Sequence, residues 1–127
     1  MTKSLEDYLE IIYVQIHEKR RARVRDIATA LKVKMPSVVK ALTELKRQQL
    51  VSQEPYGDVE LTAKGRRIAT IILNRHNKIR EFLIRIGVSR RIADKDACLM
   101  EHVLSAETMD KIRDYLKKGP PKTEAQA

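Results

Sequence analysis

The amino-acid sequence predicts a mainly α protein in two parts, a helix-turn-helix unit with a short β-hairpin followed by a small helical domain. Hydrophobic residues make up 43% of the chain and aromatic residues only 4%, and the aliphatic side chains recur at helical spacing. Pro36 stands where the second of two short helices would begin, and two alternating segments flank a turn at residues 55–58. These features favour helices packed through aliphatic side chains, with one small sheet.

The composition narrows the class of protein further. The chain of 127 residues has 26 basic and 17 acidic residues, and its net charge of +9 suggests a polyanionic partner, nucleic acid first, although a basic composition can also serve solubility alone. No run of about 18 apolar residues occurs and no signal-peptide pattern begins the chain, so we expect neither secretion nor a membrane span. A single cysteine excludes an intrachain disulfide and fits a cytoplasmic location.

The first helix is predicted to run from an N-cap at Ser4 to about Lys19, followed by a solvated basic connection over residues 19–23. Its apolar stripe consists of Leu5, Leu9, Ile12 and Ile16, widened by Tyr8 and Ile11. Asp7 and Glu10 lie three residues apart near its start. Acidic residues at a helix start favour the helix dipole, so a structural role for this pair competes with a role as ligands.

A helix-turn-helix is predicted over residues 24–50. A short helix over 25–31 is followed by a turn and by a second helix, which Pro36 opens at its first position. The second helix would face inward with Val38, Leu42 and Leu45. Its outer face begins with short polar and basic side chains, which reading of a DNA major groove requires. Any α-hairpin shares much of this pattern, so the motif does not by itself identify a DNA-binding domain.

The segment that follows supplies a wing. Residues 51–54 and 59–61 alternate like short strands, and the sequence Pro55-Tyr56-Gly57-Asp58 between them is typical of a turn. Thr62 is expected to cap a long helix over about 63–86, which ends before Gly87. The predicted buried side of this helix comprises Ile68, Ile71, Ile72, Ile79, Phe82, Leu83 and Ile86. Together these elements predict a winged-helix DNA-binding domain over residues 1–72.

A small helical domain is predicted over residues 73–118, and the long helix bridges the two domains. Ser89 would begin a helix that continues to Val103, and Ser105 would cap the last helix. The apolar stripe of the last helix comprises Met109, Ile112, Tyr115 and Leu116. We expect this stripe to support a dimer, because so small a subunit leaves it little to cover. Residues 119–127 are expected to form a disordered tail.

The helix before Ser105 carries side chains suited to a metal ion. In helical geometry Cys98, Glu101 and His102 stand at i, i+3 and i+4, so a thiol, a carboxylate and an imidazole converge on one face. The competing interpretation is a small buried cysteine beside a Glu–His pair on a solvated edge. His76 lies in the inward phase of the long helix, where it is either a core histidine or a further ligand.

Five segments resemble a family of metal-dependent repressors that includes the diphtheria toxin repressor and the manganese transport regulator, in its short two-domain form. The segments are Leu5-Glu6-Asp7-Tyr8-Leu9-Glu10-Ile11-Ile12-Tyr13, Asp26-Ile27-Ala28, Leu61-Thr62-Ala63-Lys64-Gly65, Arg75-His76 and Ala97-Cys98-Leu99-Met100-Glu101-His102-Val103-Leu104-Ser105. The resemblance extends from about Ser4 to Leu116 and implies the same fold and a DNA-binding, metal-responsive role.

By this resemblance, the residues that match the ligands of the manganese branch are Asp7, Glu10, His76, Glu101 and His102. Cys98 departs from that branch, which has a glutamate at this position, and matches the iron-responsive branch. The iron branch's ancillary metal site looks impaired, because Arg80 stands in place of a glutamate and Asp94 in place of a histidine. The resemblance therefore implies a hybrid metal site.

The resemblance implies a metal-activated repressor of metal-uptake genes that binds a palindromic operator as a homodimer. One ion would join the DNA-binding half to the dimerising half and so fix the separation of two recognition helices at roughly 34 Å. With these donors we expect Fe²⁺ to fit best and Mn²⁺ to activate more weakly, with one or two ions per subunit. Zn²⁺, Co²⁺ and Ni²⁺ are further ions that such donors can bind in vitro.

The residues expected to contact the double-stranded DNA operator are Arg25, Lys34, Pro36, Ser37, Lys40 and Tyr56. Two other classes of protein stay open. One is a metal-independent winged-helix regulator in which Cys98 senses oxidation. The other is a metalloenzyme, for which the sequence marks no nucleophile or general base apart from the ligands themselves.

Overall fold

A computed structural model describes residues 1–122 and has the mainly α architecture that the sequence predicts. Its elements are α1 (Lys3–Lys19), α2 (Val24–Leu31), α3 (Met35–Arg47), β1 (Val51–Gln53), β2 (Val59–Leu61), α4 (Ala63–Arg85), α5 (Arg90–Met100) and α6 (Ala106–Lys118). The chain divides into two compact units, Met1–Ile72 and Leu73–Ala127. Within residues 1–122, no helix is both long enough and apolar enough to cross a bilayer.

The first helix, α1, is capped by Thr2 and not by Ser4. The Thr2 hydroxyl accepts a hydrogen bond from the Leu5 amide at 3.2 Å, which provides a partner for one of the N–H groups that the start of a helix leaves unpaired. The prediction of Ser4 as the cap is therefore wrong. Thr2 and Ser4 are both residues that favour a cap position and lie two positions apart, so the sequence does not distinguish them. Asp7 forms an ion pair with Lys3 one turn earlier, at 2.9 Å.

The helix-turn-helix consists of α2 and α3. Lys32 ends α2 in the left-handed conformation, with φ 57°, and the Val33 amide donates to the Ala28 carbonyl at 3.0 Å. The three predicted inward residues of α3 are buried, as expected: Val38, Leu42 and Leu45. Ala28 on α2 and Ala41 on α3 are also buried, and their small side chains allow the two helices to approach closely.

The wing is an antiparallel pair in which Val51 lies opposite Leu61 and Gln53 lies opposite Val59. The Val59 amide also donates to the Ala22 carbonyl at 2.8 Å, so the connection before α2 adds a bridge to the hairpin. Ala22 is fully buried, and the prediction that residues 19–23 are all solvated is wrong at this position. A hairpin this short gains stability from such an additional partner.

The start of α4 packs directly against the backbone that enters β1. The Thr62 hydroxyl accepts from the Gly65 amide at 3.0 Å, the cap that the sequence predicts, and donates to the Gln49 carbonyl at 2.7 Å. A Cβ atom on Gly65 would lie 1.9 Å from the Leu50 carbonyl oxygen. Only glycine fits at this position without a shift of one of the two backbones.

The core of the first unit is aliphatic, and α4 contributes to it through a narrower face than predicted. Its fully buried members include Leu9, Ile12, Ile27, Val38, Leu45, Val59 and Ala69. Ile71 on α4 is 58% exposed, and Ile86, one residue beyond the end of α4 and in the second unit, is 53% exposed, so the prediction that both are buried is wrong. Ile71 lies about 100° around the helix from Ile72, which is buried in its place.

In the second unit, α5 and α6 surround the C-terminal half of α4. The buried cluster comprises Ile79, Leu83, Ala93, Ala97, Met109 and Ile112. Met109 and Ile112 are therefore covered within their own subunit, and the expectation that this stripe is left over for a dimer is wrong for these two residues. The Ser105 hydroxyl accepts from the Thr108 amide at 3.2 Å and caps α6 as predicted.

Helix α5 ends at Met100, and the prediction that it continues to Val103 is wrong. Glu101 is the C-cap, and the amides of His102 and Val103 donate to the carbonyls of Leu99 and Met100 in a tighter turn. The chain must turn here because Ser105 starts the next helix. After α6, residues 119–122 have no regular structure, and the rest of the predicted tail, residues 123–127, lies outside the described residues.

Replacement of Gly65 by alanine should lower the free energy of unfolding by about 3 kcal/mol, because the new methyl group overlaps the Leu50 backbone. Helix propensity alone predicts a change of the opposite sign, a gain of about 1 kcal/mol. Urea unfolding followed by circular dichroism measures the difference. Arg67→Ala on the exposed side of the same helix is the control and should change little. An increase in stability for Gly65→Ala would contradict the close approach.

Candidate metal centre

His76 on α4 is buried, and both of its ring nitrogens face potential anions. Its Nδ1 atom lies 3.0 Å from a Glu101 carboxylate oxygen and 3.7 Å from the Cys98 sulfur. Its Nε2 atom lies 3.0 Å from Asp94 Oδ1. A core histidine also has partners for its nitrogens, but here the partners are two carboxylates and a thiol, which are groups that can bind a metal ion.

Glu101 is fully buried, although it carries an ionisable carboxyl group. One of its oxygens lies 3.0 Å from Nδ1 of His76 and the other 3.2 Å from Nε2 of His102. A carboxylate away from water requires positive charge or donors to offset its lost hydration. A neutral imidazole can donate one N–H but carries no charge, so positive charge at this carboxylate comes from a protonated ring or from a bound cation.

The pKa of His76 shows how strongly this site favours positive charge. Hydrogen bonding to Cys98, and then to Glu101, raises the pKa of His76 to about 11, with a further contribution from Asp94, while burial of the ring acts in the opposite direction. Conversely, His76 and, to a smaller extent, Arg80 lower the pKa of Asp94. In the absence of a metal ion, a proton on His76 therefore supplies the cation that the site requires.

The structure contradicts the competing interpretation of the segment with Cys98, Glu101 and His102. Cys98 is exposed and Glu101 is buried, which reverses the buried cysteine and solvated Glu–His pair of that interpretation. The three residues also do not share one helical face, since Glu101 and His102 lie in the turn after α5. His76 provides the common point, because both Cys98 and Glu101 approach its Nδ1 atom.

By chemical type, these donors suit a divalent transition-metal ion. Among the described residues of the second unit they meet in pairs, His76 with Cys98 and with Glu101, and His102 with Glu101. The second unit provides two imidazole nitrogens, a carboxylate oxygen and a thiol sulfur, a mixed hard and soft set of the kind that Fe²⁺, Mn²⁺, Co²⁺ or Zn²⁺ accepts. Each donor must lose its proton to bind a metal, so metal and proton compete for the same atoms. The other two predicted ligands, Asp7 and Glu10, are partly buried residues on α1 of the first unit.

Asp94 is a residue of this site for which the sequence analysis predicts no role as a ligand or partner. The resemblance marked it only as the replacement of a histidine ligand, yet it bonds the second nitrogen of His76. The spacing contains a signal, because Asp94 lies one helical turn before Cys98 and therefore on the same face of α5. That signal is weak without the position of α4, since exposed acidic residues are common on helices.

The predicted DNA-contacting residues all lie on the surface of the first unit. Arg25 is on α2, Tyr56 is fully exposed at the tip of the wing, and the other four occupy the start of α3: Lys34, Pro36, Ser37 and Lys40. Two apolar side chains of α3 that the sequence analysis did not single out are also exposed, Met35 at 49% and Val39 at 53%. Exposed apolar groups on a recognition helix can contact thymine methyl groups.

Comparison with known proteins agrees with both halves of this description. Residues 1–59 match the N-terminal DNA-binding domain of the iron-dependent repressors, and residues 62–123 match their metal-binding and dimerisation domain. The chain is 41% identical over 116 residues to the HTH-type transcriptional regulator MntR of Geobacillus kaustophilus, covering 91% of this chain and 82% of that protein. It is 36% identical over 120 residues to an uncharacterised HTH-type regulator of Methanocaldococcus jannaschii, covering 93% of this chain and 96% of that protein.

Solved structures give the same result. The IdeR structure from T. acidophilum superposes with a TM-score of 0.80 at 28% identity, covering 95% of this chain and 60% of that one. The manganese regulator SloR superposes with a TM-score of 0.79 at 26% identity, covering 94% of this chain and 56% of that one. This chain thus spans less than two thirds of the length of both solved proteins. The sequence match, the fold and the buried cluster of donors agree, and the chain belongs to the iron-dependent repressor family of metal-dependent transcriptional regulators.

Proposed function

We propose that this protein represses metal-uptake genes when Fe²⁺ or Mn²⁺ is bound. The observation that carries the proposal is the fully buried Glu101 carboxylate between His76 and His102, with the Cys98 thiol near the same nitrogen of His76. This arrangement favours positive charge and draws on four donor side chains. A metal sensor needs donors that bind an ion reversibly.

The ligands in the second unit are proposed to be His76, Cys98, Glu101 and His102. For Asp7 and Glu10 the support is the residue-by-residue resemblance of the first helix to that of the manganese branch. A bound ion would supply a positive charge shared by the ligands. On this proposal, metal and DNA favour the same conformation of the protein, so each increases the affinity of the other.

Fe²⁺ is proposed as the physiological ion. Carboxylate oxygens favour hard ions such as Mn²⁺, whereas the single thiolate of Cys98 shifts the preference towards softer ions. A glutamate in place of Cys98 would offer two oxygens that can bridge neighbouring ions, so the cysteine also disfavours a second ion. Zn²⁺ should bind tightly, but its preference for four ligands in a tetrahedral arrangement would leave some of the six donors unused.

The DNA surface is proposed to centre on the start of α3. Ser37 and Lys40 lie one turn apart on its exposed face and are placed nearest to base edges. Arg25, Lys34 and the Tyr56 wing are placed nearer to phosphate groups, and Pro36 holds the helix start between them. Met35 and Val39 add an apolar surface suited to thymine methyl groups.

A homodimer is the proposed active form, consistent with the dimerisation domain that the family model describes. Two copies related by a twofold axis would present two α3 helices to successive major grooves, about 34 Å apart, and so read a palindromic operator. The cytoplasm, where both DNA and reduced thiols are found, is the proposed location. The metal-independent regulator is the alternative that the next measurement separates from this proposal.

Operator binding should require metal and the charge of Glu101. An operator selected from a random-sequence pool by the Fe²⁺-loaded protein should be released on addition of a chelator and bound again on addition of metal, under anaerobic conditions. Glu101→Gln removes one charge from the buried cluster at nearly constant volume and should abolish the metal-activated binding of the operator. Glu107→Gln on the exposed first turn of α6 is the matched control. Equal operator affinity with and without chelator would support a metal-independent regulator.

Lys40→Ala should weaken specific DNA binding by about 1–3 kcal/mol if this side chain reads a guanine. Gel-shift titrations on the selected operator and on a scrambled sequence separate base reading from phosphate contact, since loss of a phosphate contact weakens both alike. Lys111→Ala on α6, in the second unit, is the control. If Lys40→Ala and Ser37→Ala combined leave operator affinity unaltered, α3 is placed wrongly on the DNA.

Cys98→Glu should change the metal preference towards Mn²⁺ and raise the number of bound ions, because a carboxylate is harder than a thiolate and can bridge two ions. Metal analysis after dialysis gives the stoichiometry, and anaerobic operator titrations give the order of Fe²⁺ and Mn²⁺. Since Cys98 is exposed, air should inactivate the wild type reversibly but spare the Cys98→Ser variant. Unchanged stoichiometry and metal order in Cys98→Glu would show that the thiol is not a ligand.

A further inference from the structure

Asp94 on α5 contacts the ring nitrogen of His76 that faces away from Glu101 and Cys98. Its Oδ1 atom lies 3.0 Å from Nε2 of His76, on the side of the ring opposite Glu101 and Cys98. The same oxygen lies 3.4 Å from a guanidinium nitrogen of Arg80 on α4, four residues after His76 in the sequence. Asp94 thus links His76 and Arg80 through one oxygen atom.

The two nitrogens of an imidazole cannot be exchanged in a metal site. A neutral histidine carries one N–H donor and one lone pair, and the metal binds the nitrogen with the lone pair. In this protein Glu101 and Cys98 approach Nδ1, so a His76 that binds the same ion keeps its proton on Nε2. A carboxylate accepts hydrogen bonds and donates none when ionised, which makes Asp94 a suitable partner for that N–H.

We propose that Asp94 is a positioning residue, which holds His76 in the Nε2–H form with Nδ1 directed towards the ion. The inference rests on the proposed metal site and adds a residue outside its ligand set. Carboxylates that orient metal-bound histidines in this way commonly contribute 10–100-fold to metal affinity. The Asp94 side chain is 54% exposed, so water screens its charge and we expect an effect near the lower end, about tenfold.

Arg80 restrains the position of the Asp94 carboxylate. Both Arg80 and His76 contact Oδ1, so the carboxylate is held at the position where it meets the ring. A surface ion pair between Arg80 and Asp94 alone would contribute little to stability and nothing to the orientation of His76. The two possible roles of Asp94 are to orient His76 and to form only a surface ion pair with Arg80. A measurement can distinguish them, because only the first affects which nitrogen of the His76 ring carries the proton.

The test compares the full-length wild type with three variants, using Cd²⁺ as a diamagnetic probe. Asp94→Ala removes the acceptor, Asp94→Asn keeps an acceptor oxygen without the charge, and Asp96→Ala removes an exposed acidic residue from the same helix. Chelator competition measures Cd²⁺ affinity. Nitrogen-15 NMR of the histidine rings reports which nitrogen binds the metal and whether the Nε2 proton of His76 is protected from exchange with water. Thermal unfolding of the metal-free variants tests the fold.

We expect the wild type to show Nδ1 bound to the metal and a protected Nε2 proton. Asp94→Ala should bind Cd²⁺ about tenfold more weakly and lose the protection, Asp94→Asn should recover most of both, and Asp96→Ala should match the wild type. If the wild type binds Cd²⁺ and Asp94→Ala shows the same affinity and the same protected proton, the inference is overturned while the metal site stands. If the wild type binds no Cd²⁺, the proposed function fails, and the inference fails with it.

Discussion

The electrostatics of the second unit depend on one buried carboxylate. Glu101 is fully covered by protein, and its two oxygens meet two imidazoles that have no fixed charge of their own. Folding therefore places negative charge where water cannot compensate it, and a proton or a metal ion must do so. The side chains around His76 follow from this requirement, since each of them either shares that cation or orients a group that does.

The elements that the sequence predicts well are those with local signals. Pro36 predicts the start of α3 to within one residue, since the helix begins at Met35. The spacing of Val38, Leu42 and Leu45 predicts its inner face, and the turn residues at 55–58 predict the wing. The predictions fail where two similar signals compete or where the answer depends on another element. Thr2 and Ser4 are equivalent as caps in sequence, and the early end of α5 is fixed by the start of the helix that follows.

The same contrast separates the parts of the candidate site. His76 is identifiable as inward-facing from helical periodicity alone, and the structure buries it. The grouping of Cys98 with Glu101 and His102 on one helical face is a pattern that the chain does not keep, because the last two residues leave the helix. Cys98 and Glu101 share His76 as a partner, 22 residues before Cys98, and sequence spacing carries no information on that approach. The contact of Asp94 depends on the same approach, since its partner is also His76.

The early end of α5 has a consequence for the kind of ion that this turn can attract. The peptide dipoles of a helix add up to a partial negative charge at its C-terminus, where carbonyl oxygens point along the axis. Glu101 is the C-cap of α5, so it and His102 lie at that negative end. The backbone itself therefore repels phosphate and other oxyanions from the turn and favours cations there. Such discrimination would persist even in variants that lack individual ligands, because it depends on no side chain.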